Sequence, residues 1–251
     1  FTFISALIYD NKILMEKDPT YLSRLKSLSQ IDRAQLLDGN WDITPSAGVF
    51  FKKHYFEVID FIPNDITNIV RAWDRAATKV DENSPAGLNP DWTVGVKMGM
   101  TKRNTFIVLD VIRVRESVGE VEKIILAAAK RDGIDVKIKM FQDPGSAGVY
   151  EADAYRKVLR GFDVETEKIT TNKVTAAKPA SAQAEAGNIQ ILRASWNEVF
   201  LNELENFPEG AKDDIVDGFS SSFNALNSSN VMDFSEHFLN DTEVIPGKPE
   251  W

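Results

Sequence analysis

Residues 69–74, Ile69-Val70-Arg71-Ala72-Trp73-Asp74, open a series of three apolar runs that decides the fold. The other two are Trp92-Thr93-Val94-Gly95-Val96-Lys97-Met98 and Thr105-Phe106-Ile107-Val108-Leu109-Asp110-Val111. Each is rich in β-branched and aromatic residues, and three consecutive strands predict an antiparallel meander. The stretch between the first two carries Asp81, Glu82, Asn83, Pro85, Gly87 and Pro90 and reads as a long loop.

Downstream the pattern alternates. A helix is predicted over 118–130, with Val121, Ile124, Ile125 and Ala128 on one face, ending at Gly133. A half-buried strand follows over 136–141, then a helix over 149–160 and a strand over 164–167. An Ala-rich helix over 172–186, a short strand over 189–192 and an amphipathic helix over 196–207 come next. The last predicted helix covers 213–226, with Ile215, Val216, Phe219 and Phe223 as its apolar stripe. A meander followed by alternating strands and helices predicts an α/β domain, a mixed sheet flanked by helices.

Upstream, Asp18-Pro19 is a turn signal. Tyr21, Leu22, Leu25 and Leu28 have helical spacing, and so do Ile31, Ala34, Leu36 and Leu37 up to Gly39. Residues 1–48 therefore read as a connecting segment, 49–226 as the main domain and 227–251 as a loosely structured tail.

The 251-residue composition, 43% hydrophobic and 27% charged, is that of a globular protein. With no cysteine, disulfides, thiolate metal sites and thiol nucleophiles are excluded, and a reducing compartment is the simple reading. The two histidines, His54 and His237, lie far apart in sequence, which disfavours a histidine metal cluster or a Ser-His-Asp triad. Any metal must be held by oxygen. No apolar run approaches the roughly 20 residues that span a bilayer, and the chain, which begins at Phe1 and not Met, is expected to be a piece of a longer protein that is neither secreted nor membrane-bound. A formal charge of −9 argues against a broadly basic surface that wraps nucleic acid. Clustered carboxylates that recruit divalent cations would invert that sign locally.

Three groups of acids stand at element ends. Asp74 directly follows the first strand. Asp143 follows the strand 136–141 and precedes Pro144-Gly145. Both are predicted at C-terminal strand ends, where open α/β sheets bind ligands. Asp214 and Asp217, at i and i+3, share a helix face, while Asp213 is turned about 100° from Asp214. Taken singly, each acid reads as a cap, Asp213 as the N-cap of its helix. Together they suit two-metal phosphodiester hydrolysis, in which carboxylates hold Mg²⁺ or Mn²⁺ about 4 Å apart. Without metal their repulsion should raise at least one pKa, so metal binding should also stabilise the fold.

The joint arrangement resembles the RNase H-like superfamily. The words Ala72-Trp73-Asp74-Arg75-Ala76, Asp91-Trp92-Thr93-Val94-Gly95, Gln142-Asp143-Pro144-Gly145-Ser146-Ala147-Gly148 and Lys212-Asp213-Asp214-Ile215-Val216-Asp217-Gly218 resemble the nuclease domain of bacteriophage terminase large subunits. Phe3-Ile4-Ser5-Ala6, Tyr9-Asp10-Asn11 and Leu37-Asp38-Gly39-Asn40-Trp41 resemble the end of that family's ATPase domain and its linker.

The resemblance implies an endonuclease that cuts concatemeric double-stranded DNA during genome packaging. It acts in the host cytoplasm, joined to an upstream ATPase domain, with a portal protein and a small terminase subunit as partners. By resemblance Asp74 is the first-strand acid that bridges two metal ions, Asp143 the second-strand ligand, and Asp214 and Asp217 the helix ligands. The chain departs from many relatives at Lys212, where they carry His; Asp81 and Asp91 are candidates for a further acid.

Lys168, Lys173, Lys178 and Arg193, around the Ala-rich helix, are candidate phosphate contacts; the alternative is a solvated face. No phosphate-binding loop with a Lys-Ser/Thr ending is present, so ATP hydrolysis is not expected of these residues. Competing readings are a non-catalytic docking module of a packaging motor, a junction resolvase with a preference for branched DNA, and a nucleotide-binding phosphotransferase.

Overall fold

The computed structural model describes residues 11–26, 28, 30–39, 48–76, 91–142, 146–168 and 171–240. Three short helices come first: α1 (Lys12–Lys17), α2 (Tyr21–Lys26) and α3 (Gln30–Leu36). Strands β1 (Glu57–Ile59), β2 (Ile66–Asp74), β3 (Thr93–Thr101) and β4 (Phe106–Val114) follow. Then come α4 (Val118–Asp132), β5 (Val136–Gln142), α5 (Ser146–Val158), β6 (Val164–Lys168), α6 (Lys173–Glu185), β7 (Ile189–Leu192), α7 (Asn197–Asn206) and α8 (Asp214–Asn240).

The seven strands form one mixed sheet in the order β1-β7-β4-β3-β2-β5-β6. The predicted meander is present: β3 pairs antiparallel with both β2 and β4. All other pairings are parallel, so β3 alone among the described strands runs against the rest. The C-terminal ends of β2, β5 and β6 consequently lie along one edge, side by side.

Alternation along β2 decides what each residue faces. Val70 joins a core with the α8 residues Ile215, Val216, Phe219 and Phe223 and with Phe50, Phe51 and Phe200. Trp73 joins a second core with Val121, Ile125 and Ala128 of α4 and with Tyr155 of α5 and Leu159. The sheet is thus covered on both faces, and Asp74, in phase with Val70 and Ala72, belongs to the α8 side.

Two close approaches fix this packing. At Gly95, level with Trp73 in the β2/β3 register, a Cβ would stand 2.6 Å from the Trp73 ring. At Gly218 on α8 a Cβ would be 3.1 Å from Val96 Cγ2 on β3. Ser222 completes the seating of α8: its hydroxyl accepts from the Ala72 N–H (3.2 Å) and donates to the Val96 carbonyl (2.8 Å).

On the opposite face Arg71, 1% exposed, is the centre of a charged network. It donates to Asp132 (2.5 and 3.2 Å), Asp110 (2.7 Å) and the Gly95 carbonyl (3.1 Å), and Lys97 reaches Asp132 at 3.1 Å. These cations hold the Asp132 carboxyl below its ordinary pKa, against the effect of its burial.

Two features depart from the sequence expectation. The last helix continues to Asn240 instead of stopping near 226, and β1 is a three-residue strand that its exposed side chains gave no period to detect.

Candidate active site

Asp74 is the last residue of β2. The chain beyond it is pinned by Thr93, whose hydroxyl accepts from the Ala76 N–H (3.0 Å) and donates to the Ala76 carbonyl (2.7 Å). Arg75 then ties the end of β2 to the end of β5, donating to the Phe141 carbonyl (2.8 Å) and to Glu151 and lying over the Tyr155 ring.

A cleft of about 440 Å³ opens at this edge. Its floor includes Asp74 and Phe141, one side wall is α6 through Lys173, Thr175, Ala176 and Pro179, and Glu167 and Lys168 close the β6 end. The other wall is α8. Asp217, Ser220, Ser221, Asn224, Asn227 and Ser228 recur at helical spacing, and this polar stripe is turned away from the stripe that enters the core. Asn224 donates to the Ala176 carbonyl (3.0 Å) and joins the two helical walls. Sequence reading did not single out Ser220, Ser221 or Asn224, although the three-and-four spacing from Asp217 was available. Ser220 and Ser221 are both buried, and among the described residues neither hydroxyl has a hydrogen-bond partner.

The acids crowd one another. Burial, with the charges of Asp217 and Asp214 behind it, pushes the Asp74 carboxyl up to about 7. Asp217 is pushed up to about 6, again mainly by burial. Lys173 donates to Asp213 at 2.7 Å and approaches Asp217 at 2.8 Å, and the two carboxylates keep its ammonium protonated above the usual lysine range, in spite of its partial burial.

Asp214, 5% exposed, turns to the backbone of Trp92, and burial raises its pKa as well. Its Oδ2 has no partner among the described residues. Trp92 is in turn packed under two guanidinium groups, Arg113 at 3.8 Å and Arg115 at 3.9 Å from the ring centroid. Glu203 of α7 accepts the Ile215 N–H at 2.6 Å, an acid at the α8 N-terminus.

Of the acids singled out from the sequence, Asp74 and Asp217 line the cleft together, with Asp214 within electrostatic reach of both. Asp213, rather than Asp214, shares a cation with Asp217. Asp143 and Asp81 lie outside the described residues. Asp91 is mostly exposed and paired with Lys212 (2.6 Å). Among the described residues no three acidic or histidine side chains are grouped as a metal cage.

The basic candidates separate. Lys168 and Lys173 line the cleft, whereas Lys178 pairs with Asp32 and Arg193 with Asp60 (2.5 Å), near the β1 edge.

A family model described as the terminase RNaseH-like domain matches residues 71–228, more than half of the chain and the span from β2 through the cleft stripe of α8. The chain belongs to the terminase RNaseH-like domain family. Solved structures share the fold of this terminase domain. The large terminase nuclease of thermophilic phage G20c with bound magnesium has a TM-score of 0.51 at 13% identity, covering 72% of this chain and 98% of that one. The same nuclease with bound zinc has a TM-score of 0.50 at 14% identity, covering 70% and 96%. The large terminase of a second thermophilic bacteriophage has a TM-score of 0.60 at 9% identity, covering 87% of this chain and 53% of that one, so the chain spans about half of that protein. No curated protein matches the chain. Among the described residues no helix is long and apolar enough to cross a membrane.

Proposed function

We propose that this terminase domain is a metal-dependent endonuclease that cleaves concatemeric double-stranded viral DNA during genome packaging, by two-metal-ion phosphodiester hydrolysis. The observation that carries the reading is the convergence of Asp74 and Asp217, from a strand end and a helix, on one cleft where burial raises the pKa of both. Such perturbed acids in a cleft mark a functional site.

The donor set fits Mg²⁺ or Mn²⁺. It is made of hard oxygens, with neither cysteine nor histidine among the residues that line the cleft, and the buried Asp214 Oδ2 has no partner among the described residues to satisfy it. The G20c nuclease carries bound magnesium in a solved structure. Asp74, Asp217 and Asp214 would hold the ions together with Asp143, which follows directly on Gln142 at the end of β5 in the sequence. When bound, such ions supply Lewis acidity and lower the pKa of water at neutral pH.

The remaining work falls to protein groups. Lys168 and Lys173 offset the negative phosphodiester as it enters an acidic protein, and the α8 stripe offers hydroxyl and amide donors along its path. Arg75 and Thr93 fix the end of β2, so that Asp74 keeps its place under repulsion.

We assign residues 1–48 to the linker and the end of an upstream ATPase domain, 49–226 to the nuclease and 227–251 to a C-terminal tail, into which α8 runs on and whose first two residues, Asn227 and Ser228, still line the cleft. The portal protein and the small terminase subunit are the proposed partners, and the host cytoplasm is the proposed place of action.

The test is plasmid digestion by the native chain and by Asp74→Ala with Mn²⁺ or Mg²⁺. The native chain should nick and linearise DNA and the variant should be at least about 100-fold slower. Equal cutting by both, or none under either metal, overturns the assignment.

A further inference from the structure

Lys173 stands where helix electrostatics do not favour it. It is the first residue of α6, behind the N-cap Asn172, whose side chain accepts the Thr175 N–H at 2.8 Å. A cation at a helix N-terminus opposes the macrodipole, so α6 gains nothing from this charge. What accounts for its position is the other wall: the Lys173 Nζ lies 2.7 Å from Asp213 Oδ1 and 2.8 Å from Asp217 Oδ2, bridging the acid directly before α8 and one in its first turn.

The three groups differ in their access to water. The Asp217 side chain is 16% exposed, Asp213 35% and Lys173 54%. The acids are held in place at the start of α8, while the lysine reaches in on a flexible stem that can swing away. Its charge also acts on Asp74 across the cleft. One ammonium therefore neutralises the position from which a divalent ion would draw its Asp217 oxygen.

We propose that Lys173 is the resident counter-ion of Asp213 and Asp217, that a divalent cation must displace it to bind Asp217, and that the released ammonium then faces the phosphodiester backbone in the cleft. This rests on the metal-dependent nuclease reading of the same site. Metal loading and DNA binding are then linked through one side chain, because the charge that protects the empty acids becomes available to phosphate only after an ion arrives.

Calorimetric titration of Mn²⁺ into the native chain, Lys173→Gln and Lys173→Arg tests the first half. Lys173→Gln should bind Mn²⁺ on the order of tenfold more tightly, since no cation competes, and Lys173→Arg should stay within about twofold of native. Unchanged or weaker binding by Lys173→Gln overturns the proposal. If none of the three binds Mn²⁺, the nuclease reading and this inference fall together; if all three bind alike, only this inference fails. Anisotropy of a labelled duplex in Ca²⁺ and in EDTA tests the second half. The native chain should gain more affinity on Ca²⁺ addition than Lys173→Gln does, and equal gains overturn it.

Discussion

Glu203 and Ile215 are joined by a 2.6 Å hydrogen bond from the Ile215 N–H to the Glu203 carboxylate, so α7 caps the helix that carries the acids of the cleft. Glu203 is buried, and Arg113 approaches its other oxygen at 3.3 Å. Removing it leaves a buried N–H unpaired. Glu203→Ala should cost about 2 kcal/mol, measured by urea unfolding, and Glu203→Gln, which keeps an acceptor oxygen, should cost less.

Gly95 has no room for a side chain. A Cβ there would overlap the Trp73 ring at 2.6 Å, and neither strand can yield within the ladder. Gly95→Ala should destabilise by about 1–3 kcal/mol. Combining it with Trp73→Leu should recover part of that loss, a non-additive double-mutant cycle that identifies the contact.

The Arg71 network gives a contrast between buried and surface charge. Asp132 holds Arg71 and Lys97 with its own side chain only 4% exposed. Asp132→Ala should cost about 3 kcal/mol in thermal unfolding, because it removes the buried partner of Arg71 and leaves the partly exposed Asp110 as its remaining counter-ion. The exposed pair Lys123–Glu120 should contribute little, because water screens it, and Glu120→Ala should leave the melting temperature essentially unchanged.

Stability of the metal-free chain should depend on pH with a definite sign. Asp74 and Asp217 have folded pKa values near 7 and 6, above the ordinary value of 3.8. Their favourable contribution is complete below pH 3.8, where both are protonated in either state, and is lost as pH rises through 6 and 7. The melting temperature should therefore fall by several degrees between about pH 5 and 8 through these groups, and divalent cations should reverse the fall. Asp74→Asn should flatten the profile and raise the metal-free melting temperature at about pH 8. A native profile that rises over this range would contradict the burial of these acids.

Most of the sheet and helix layout was legible because the strands differ in period from the helices. The meander from Ile69 to Val111 and the cores of α4, α6 and α7 follow from local pattern alone. β1 escaped because three residues, two of them exposed, carry no alternation. The continuation of α8 past 226 escaped because its polar positions, among them Asn227 and Ser228, read as a tail until the cleft they line is known.

At the site, Asp74 was legible from its strand end. The cation that sits on the helix acids was not. Spacing placed Asp214 and Asp217 on one helix face; Asp217 lines the cleft and Asp214 turns to the Trp92 backbone, while Lys173, forty residues upstream of Asp213, bridges Asp213 and Asp217. A contact across that distance has no local signature.

The hydroxyl of Ser222 touches two strands at once, at Ala72 and at Val96. Rather more than one turn toward the start of α8 lies Asp217, and two residues along β2 from Ala72 lies Asp74. The helix is therefore indexed to the sheet like a key in a lock with a single tooth: sliding α8 by one residue would break both bonds and carry its acids out of step with Asp74. The spacing of the acids is set in the dry interior, away from any water that could reach them.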